Sequence, residues 1–149
     1  MRTATHADIA AVIKLVSICF EDEINQGMEL KTVPQFQALI NRSDMFLLVE
    51  EENDKIIAIA LVQAKTEIRS AQIRVIGVDP SYQGIGVGKR LLNAIIDLAR
   101  EHDWPKIKIV VPSSNVPARK LMVSFGFIPE GYLRKEFLDE DVILYSYFR

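Results

Sequence analysis

Cysteine is scarce in this sequence. Cys19 is the only one among the 149 residues, so an internal disulfide is excluded. It lies within an apolar run of helical spacing, which favours a small buried hydrophobe over a nucleophile. No apolar run reaches the roughly 20 residues that a transmembrane helix needs. The segment after Met1-Arg2-Thr3-Ala4 is interrupted by Asp8 and Lys14 and does not resemble a secretory signal. These observations predict a cytoplasmic protein that does not use a membrane.

Neither sign of charge dominates, because 18 basic and 20 acidic residues give a net charge of −2. A general nucleic-acid binder carries a basic excess, so we expect no nucleic-acid partner. Histidine is also scarce, and no cluster of His, Cys and carboxylate residues suggests a metal site. Hydrophobic residues make up 49% and charged residues 26% of the chain, which are ordinary globular values. We assign residues 1–149 to one domain.

Hydrophobic spacing predicts an α/β chain with the element order αα, βββ, α, β, α, ββ and a mixed sheet. The predicted helices cover Thr5–Phe20, Val33–Asn41, the segment from the glycines to about His102, and Asn115–Phe125. The predicted strands cover Met45–Val49, Ile56–Val62, Ala71–Val78, Ile107–Val111, Phe127–Lys135 and Val142–Phe148, with a short strand at Arg2–Ala4. The final strand is apolar and is interpreted as a sheet edge, which predicts a homodimer through that edge.

Three alternate glycines open the helix that follows the strand Ala71–Val78, in the order Gln83-Gly84-Ile85-Gly86-Val87-Gly88. Glycine lets the backbone approach a ligand closely. The first N–H groups of a helix have no internal partner, and the helix dipole favours an anion there. The turn therefore predicts a diphosphate site, to which Lys89 and Arg90 would add positive charge.

Other interpretations of the glycines fit less well. A dinucleotide-binding fingerprint needs G-x-G-x-x-G near the first strand, whereas G-x-G-x-G here follows two helices and several strands. A P-loop needs G-x-x-x-x-G-K-S/T, but Gly88-Lys89 is followed by Arg90 and position 83 is Gln. A glycine-rich turn that binds nothing stays open on the glycines alone.

Two blocks of the sequence resemble the GNAT superfamily of N-acetyltransferases. Val78-Asp79-Pro80 and then Gln83-x-x-Gly86-x-Gly88 match its acetyl-CoA signature, Q/R-x-x-G-x-G/A. Downstream, Asn115-x-x-Ala118 and Gly126-Phe127 match its N-x-x-A…G-F block. The predicted element order matches that fold across nearly the whole chain. The resemblance implies a mixed, mostly antiparallel central sheet flanked by about four helices.

The resemblance also implies acetyl-CoA as co-substrate. In the family, the fourth strand, ending here at Val78, carries a bulge and splays from the fifth to leave a V-shaped gap for pantetheine. Backbone contacts to pantetheine are then expected at Ile76 and Val78. Asn115 and Arg119 are expected along the cofactor, although Asn115 is also interpreted as a helix N-cap. The pyrophosphate contacts are expected from Gln83, Gly84, Ile85, Gly86, Val87, Gly88 and Lys89.

The implied reaction is direct acetyl transfer to a primary amine without an acyl-enzyme, and the N–H of Val78 is the expected oxyanion donor. The family's usual thiolate-protonating tyrosine falls at Met122, and a glutamate found in some members falls at Gln72. Neither side chain can exchange a proton, so the acid and the base must lie elsewhere. The candidate substitutes are Tyr132, Tyr145, Ser113, Ser114 or bound water as the acid, and Glu67, Glu21, Asp22 or Glu23 as the base.

Two acidic segments, Glu21–Glu23 and Asp139–Asp141, predict a cationic acceptor such as a polyamine, an amino sugar or a peptide N-terminus. The tail Gly131–Ser146 is similar to family members that modify protein N-termini or small amines. The alternative function is a non-catalytic module of the same fold that senses acyl-CoA. Met122 and Gln72 are the residues that favour this alternative.

Overall fold

The computed structural model describes residues 1–20 and 31–149, which form one seven-stranded sheet with four α-helices. The strands are β1 (Arg2–Thr3), β2 (Met45–Glu52), β3 (Lys55–Lys65), β4 (Ser70–Val78), β5 (Lys106–Pro112), β6 (Ile128–Phe137) and β7 (Glu140–Phe148). The α-helices are α1 (Ile9–Cys19), α2 (Val33–Ile40), α3 (Val87–Glu101) and α4 (Val116–Ser124). None of these helices is long and apolar enough to cross a membrane.

The sheet order is β1-β2-β3-β4-β5-β7-β6. Among the described strands, every neighbouring pair is antiparallel except β4 and β5, which are parallel and joined through α3. The predicted mixed, mostly antiparallel sheet with about four helices is therefore confirmed.

Local sequence signals explain where the first elements begin and end. A 3₁₀ turn, His6–Asp8, precedes α1, and the N–H of Thr5 donates to the Asp8 carboxylate at 2.7 Å. Thr32 caps α2 by accepting from the N–H of Gln35 at 3.4 Å. The β2–β3 turn consists of Asn53 and Asp54, with φ values of 50° and 61°. Asn and Asp tolerate this left-handed region, which suits a two-residue hairpin turn.

The sheet separates two hydrophobic cores. One lies under α3 and α4 and includes the fully buried Leu91 and Leu92 of α3. The other lies under α1 and α2 and includes Val12, Val16 and Phe36. Each large aliphatic side chain buried in this way stabilises the fold by roughly 1.5–3 kcal/mol. β3 contributes residues to both cores, so this strand is buried on both faces.

A β-bulge in β4 changes which face of the sheet its residues occupy. The register with β3 skips Arg74, because successive β3 residues face Val75 and Ile73. Ile73 therefore packs under α3, whereas Val75 packs under α1. The same shift places Ile76 and Val78 against the α3 side. The bulge that the family resemblance implied for this strand is confirmed.

β4 and β5 separate along their length. They pair only between Ser70–Ile73 and Lys106–Ile109, although β4 continues to Val78 and β5 to Pro112. The far ends of the two strands have no register partners across the gap. The predicted splay between the fourth and fifth strands is therefore confirmed.

The final strand is not a sheet edge, and that prediction is wrong. β7 lies between β5 and β6, so the described edge on this side is β6. The last hairpin folds back so that its second strand pairs with β5, and an apolar strand inside a sheet has the same sequence pattern as an apolar edge. β7 also begins earlier than predicted, at Glu140, because the turn consists of Leu138 and Asp139, with φ values of 52° and 60°.

Candidate active site

The chain leaves β4 through a turn that a buried carboxylate holds in place. The side chain of Asp79 is 5% exposed and accepts from Lys55 Nζ at 2.8 Å. Its other oxygen accepts from the N–H of Ser81 at 2.9 Å, at the start of the 3₁₀ turn Pro80–Tyr82. The hydrogen bond from Lys55, and then that from Ser81, lowers the pKa of Asp79 below its ordinary value. Asp79 therefore fixes the direction in which the chain enters the glycines.

We expect Asp79→Asn to lower the free energy of unfolding at pH 7 by about 1–3 kcal/mol, because a charge-assisted hydrogen bond is lost at a buried position. A carboxyl with a lowered folded-state pKa stabilises the fold above its unfolded pKa of about 3.9, and this contribution is lost as the pH falls through the folded pKa. Urea unfolding should therefore show a constant difference from wild type between about pH 5 and 7 that shrinks below about pH 4.

Asp54→Asn is the matched control, because Asp54 is exposed in a turn that Asn tolerates. We expect this control to stay within about 0.5 kcal/mol of wild type. An Asp79→Asn protein as stable as wild type at pH 7 would show that the carboxylate does not hold the turn.

The turn after Asp79 needs two of its glycines for their conformation. Gly84 and Gly86 have φ values of 79° and 88°, in the left-handed region, and Gly86 is the N-cap of α3. A Cβ at Gly84 would meet nothing within 4 Å, and one at Gly86 would meet only Arg90 Nη1 at 4.0 Å. The space in front of these glycines is therefore open. Gly88 differs, because a Cβ there would lie 3.1 Å from Leu121 of α4.

The backbone of this turn offers hydrogen-bond donors to that open space. The first bond at the start of α3 runs from the N–H of Arg90 to the Gly86 carbonyl, at 3.1 Å. Within the described parts of the chain, the backbone N–H groups of residues 84–89 have no protein acceptor. They lie at the positive end of the α3 dipole. A diphosphate therefore fits this turn, which is the chemistry that the sequence pattern indicated.

Two side chains near the turn have protein partners. The Gln83 side-chain amide donates to the Val78 carbonyl at 3.1 Å, and so joins the turn to the end of β4. Arg90 Nε donates to Glu50 of β2 at 3.0 Å. Lys89 is exposed in the first turn of α3. Lys89 and the Nη1 end of Arg90, which lies 4.0 Å from the position of a Cβ on Gly86, can both add positive charge to a bound anion.

Gly77 of β4 is a packing residue whose role was not predicted from the sequence. A Cβ there would lie 2.8 Å from the Phe20 ring and 3.4 Å from Cys19 Cβ, so only glycine lets the end of α1 lie on β4. An isolated glycine inside a strand pattern was the available signal. Burial, and then the charge of Asp79, raises the pKa of the Cys19 thiol to about 11. Cys19 therefore stays a thiol at neutral pH, as expected of a packing residue.

The start of α4 lies after the end of β5. Asn115 Oδ1 accepts from the N–H of Ala118 at 3.2 Å, which confirms the N-cap interpretation. Arg119 Nη1 donates to the Ser113 carbonyl at 2.9 Å, and its Nε donates to the Tyr145 hydroxyl at 3.4 Å. Arg119 therefore holds the β5–α4 loop against β7. Its predicted contact with the cofactor stays a prediction.

The position of the family's usual acid is closed to solvent. Met122 is 0% exposed and lies in the core under α3 and α4. Tyr145, one proposed substitute, is also buried, as expected of a strand aromatic. Tyr132, the other tyrosine substitute, is 58% exposed. The hydrogen bond from its hydroxyl to Asp141 Oδ2, at 2.8 Å, raises the pKa of Tyr132.

The sheet register separates Tyr132 from the gap between β4 and β5. Tyr132 faces Ile143 of β7, and Ile143 faces Val111 of β5. Adjacent strands are about 4.8 Å apart, so the Tyr132 backbone lies roughly 10 Å from β5, beyond the side of the gap opposite Val78. This position does not fit direct protonation of a thiolate beside Val78.

Of the proposed bases Glu67 and Glu23, the structure describes only Glu67. Glu67 lies in the 3₁₀ turn Thr66–Ile68, before β4, whereas Val78 ends β4. The nine residues of β4 span roughly 26 Å, so the Glu67 carboxylate cannot act directly on an atom beside Val78. Glu67 is near β4 only along the chain and is not proposed as the base. Glu23 lies outside the described residues, as do Glu21 and Asp22.

The three acidic residues at positions 139–141, where the last hairpin turns, already have protein partners. Asp141 accepts from the Tyr132 hydroxyl and from the N–H of Lys135, both at 2.8 Å. Glu140 accepts from the N–H of Ser114 at 2.8 Å, and Asp139 pairs with Lys135 Nζ at 3.3 Å. These contacts use the carboxylates that were expected to attract a cationic acceptor. The charge argument for a polyamine is weakened accordingly.

The comparisons with known proteins agree with this arrangement of splayed strands and open amides. The model of the Acetyltransferase (GNAT) family matches residues 9–127. The chain therefore belongs to the GNAT acetyltransferase family. Among curated proteins it is 34% identical over 106 residues to the ribosomal protein bS18-alanine N-acetyltransferase of Haemophilus ducreyi, covering 70% of this chain and 72% of that protein.

Other curated matches are shorter. The chain spans half the length of a Bacillus subtilis relative and 28% of the mycothiol acetyltransferase of Beutenbergia cavernae. Among solved structures, the ribosomal-protein-S18-alanine N-acetyltransferase of Escherichia coli has a TM-score of 0.83 at 22% identity, over 97% of this chain and 90% of that one, which shows the shared fold. A Bacillus anthracis acetyltransferase structure in complex with acetyl coenzyme A has a TM-score of 0.70 at 25% identity, over 76% and 68%.

Proposed function

We propose that this chain transfers the acetyl group of acetyl-CoA to a primary amine, and that the leading acceptor is the α-amino group of a peptide N-terminus. The open amides of residues 84–89, beside the gap between β4 and β5, are the observation that carries the proposal. Family membership and the bS18-alanine N-acetyltransferase relative support acetyl transfer to an amine. The partnered carboxylates of the last hairpin favour a peptide over a polycation.

The fold alone does not choose the acceptor. Spermidine N-acetyltransferase of Vibrio cholerae shares it with a TM-score of 0.82 at 21% identity, over 99% of this chain and 93% of that one. A small amine therefore stays within the proposal as the second class of acceptor.

The cofactor-binding residues follow from the geometry of the turn and the gap. The backbone N–H groups of residues 84–89 would hold the pyrophosphate, and Lys89 would add charge. Ile76 and Val78 would contact pantetheine along the unpaired part of β4. Asn115 would lie on the opposite side of the gap, at the start of α4. Gln83 would act mainly by holding the turn against Val78.

Acetyl-CoA supplies the thioester, whose C–S bond breaks as the amine nitrogen bonds to the carbonyl carbon. The N–H of Val78 would donate to the carbonyl oxygen as negative charge develops there. Holding both reactants in one gap would supply much of the rate enhancement. The amine must lose a proton to a base, for which Glu23 stays a prediction, and the thiolate must gain one. We propose water or Ser113, in the loop after β5, as the source of that proton.

The Tyr132→Phe variant tests whether the Tyr132 hydroxyl, in place of water or Ser113, supplies the proton to the thiolate. We expect the rate of acetyl transfer to stay within about threefold of wild type, because the hydroxyl is directed to Asp141 and lies away from the gap. A general acid that acts in the transition state contributes about 10²–10⁴-fold. Thiol release under saturating acetyl-CoA measures the effect, and a hundredfold fall in kcat would restore Tyr132 as the acid.

Acceptor choice is tested by thiol release from acetyl-CoA across a panel of amines. The panel contains peptides with a free N-terminal alanine, the same peptides with a blocked N-terminus and an internal lysine, spermidine, and glucosamine. We expect release with the free peptides and little with their blocked controls. Release with spermidine alone would contradict the peptide acceptor. CoA binding without release on any acceptor would favour the sensor.

Three other expectations stay predictions. A homodimer through a sheet edge would use β6 in place of β7, and sedimentation would measure it. The cytoplasmic location would be tested by cell fractionation. The assignment of residues 1–149 to one domain would be tested by limited proteolysis.

A further inference from the structure

The last hairpin is bonded directly to the loop that connects β5 with α4. The N–H of Ser113 donates to the Asp141 carbonyl at 2.9 Å, which extends the β5–β7 ladder by one residue. The next N–H, that of Ser114, donates to Glu140 Oε1 at 2.8 Å. Asn115 follows and caps α4. The loop beside the gap is thus held by two consecutive residues of β7.

The hairpin that provides these contacts is itself held in shape. Its register jumps between Leu133 and Phe137, so several residues of β6 bulge outward. Asp141 stabilises the bulge by accepting from the Tyr132 hydroxyl and from the N–H of Lys135. The hairpin therefore has a defined conformation from which Glu140 reaches the loop.

We propose that Glu140 is a positioning residue, whose carboxylate fixes Ser114 and thereby places Asn115 and the start of α4 for acetyl-CoA. This inference rests on the proposed function. Hydrogen bonding from Ser114, first from its side chain and then from its N–H, also lowers the pKa of Glu140, so the carboxylate is ionised at neutral pH. A charged acceptor makes the stronger bond to a backbone N–H.

If Glu140 acted only through its charge, removing its carboxylate would change CoA affinity in the opposite direction. CoA carries several negative charges, so removal of a nearby carboxylate should strengthen its binding if Glu140 acts only through its charge. Removal should weaken binding if the carboxylate positions the loop. The sign of the change separates the two explanations.

The test compares Glu140→Ala, Glu140→Gln and Glu136→Ala in the full chain by calorimetric titration with CoA. Glu136 is exposed on the same hairpin, and it has no hydrogen-bond or ion-pair partner among the described residues. We expect Glu140→Ala to weaken CoA binding about tenfold, and Glu140→Gln, which keeps an accepting oxygen, about threefold. We expect Glu136→Ala to bind CoA as tightly as wild type or more tightly.

Amide hydrogen exchange gives a second readout that does not depend on CoA. The amide of Ser114 should exchange faster in Glu140→Ala, while it should be unchanged in Glu136→Ala. Equal or tighter CoA binding by Glu140→Ala, or an equal loss in Glu136→Ala, would overturn the proposal. A wild-type protein that binds no CoA would instead overturn the proposed function, and the role of Glu140 with it.

Discussion

Replacing Gly86 by Asp is expected to weaken CoA binding about a hundredfold, which is the largest effect on ligand binding that we predict. Two unit charges about 5 Å apart repel by roughly 3 kcal/mol at an effective dielectric constant of about 20, and this corresponds to about two orders of magnitude in affinity. The side chain would also enter the open space in front of the turn. Calorimetric titration with CoA measures the change.

The control must separate loss of the anion site from backbone strain. Gly86 has a φ of 88°, where any side chain costs about 1–2 kcal/mol. Gly126→Asp is the matched variant, because Gly126 follows the end of α4 with a φ of 85°. We expect it to lower stability by a similar amount while CoA affinity stays near that of wild type. Near-normal CoA affinity in a folded Gly86→Asp protein would contradict the proposed site.

Replacing Met122 by Ala is expected to lower the free energy of unfolding by about 2–5 kcal/mol, because a fully buried side chain is removed from the core. The position corresponds to the family's usual acid, but here it is sealed from the gap. CoA affinity of the folded fraction should change little. Urea unfolding together with CoA titration measures both quantities.

Val123→Ala is the control for Met122→Ala. It removes an aliphatic side chain from the next position of α4, and that side chain is 58% exposed. We expect its effect on stability to stay within about 0.5 kcal/mol. A large loss of turnover in Met122→Ala without destabilisation would instead show that Met122 shapes the reaction site.

The parts of the site that are local in sequence could be predicted. The glycine turn, the helix that it opens and the Asn115 cap each depend on residues a few positions apart, so their patterns specify them directly. The splay of β4 from β5 is not local. It was expected only because two blocks resemble a known family, and the register then confirmed it.

The remaining features depend on contacts between distant residues. Glu67 is close to β4 along the chain, yet a full strand separates it from Val78. The carboxylate of Glu140 was interpreted as an attractor for a cationic acceptor, whereas it accepts from Ser114. Arg90 was expected to add charge at the anion site, and the pattern did not indicate that its Nε also pairs with Glu50. Charge and spacing identify such groups but not their partners, because tertiary packing decides which partner is reached.

The position of β7 within the sheet also could not be predicted from its sequence pattern. Its apolar pattern correctly predicted a strand, but not that β6 would lie outside it. Strand order depends on which hairpin strand pairs with β5, and the pattern of either strand permits both arrangements. An edge inferred from hydrophobicity alone is therefore weak evidence for a dimer.

The central claim is that backbone amides after β4 bind the diphosphate of CoA, and amide NMR tests it most directly. CoA should be titrated into uniformly ¹⁵N-labelled protein while the backbone amide resonances are followed. The account predicts large saturable shifts for the amides of residues 84–89, with smaller shifts at Ile76 and Val78. Shifts confined to another surface, or equal responses to CoA and to ATP, would contradict it.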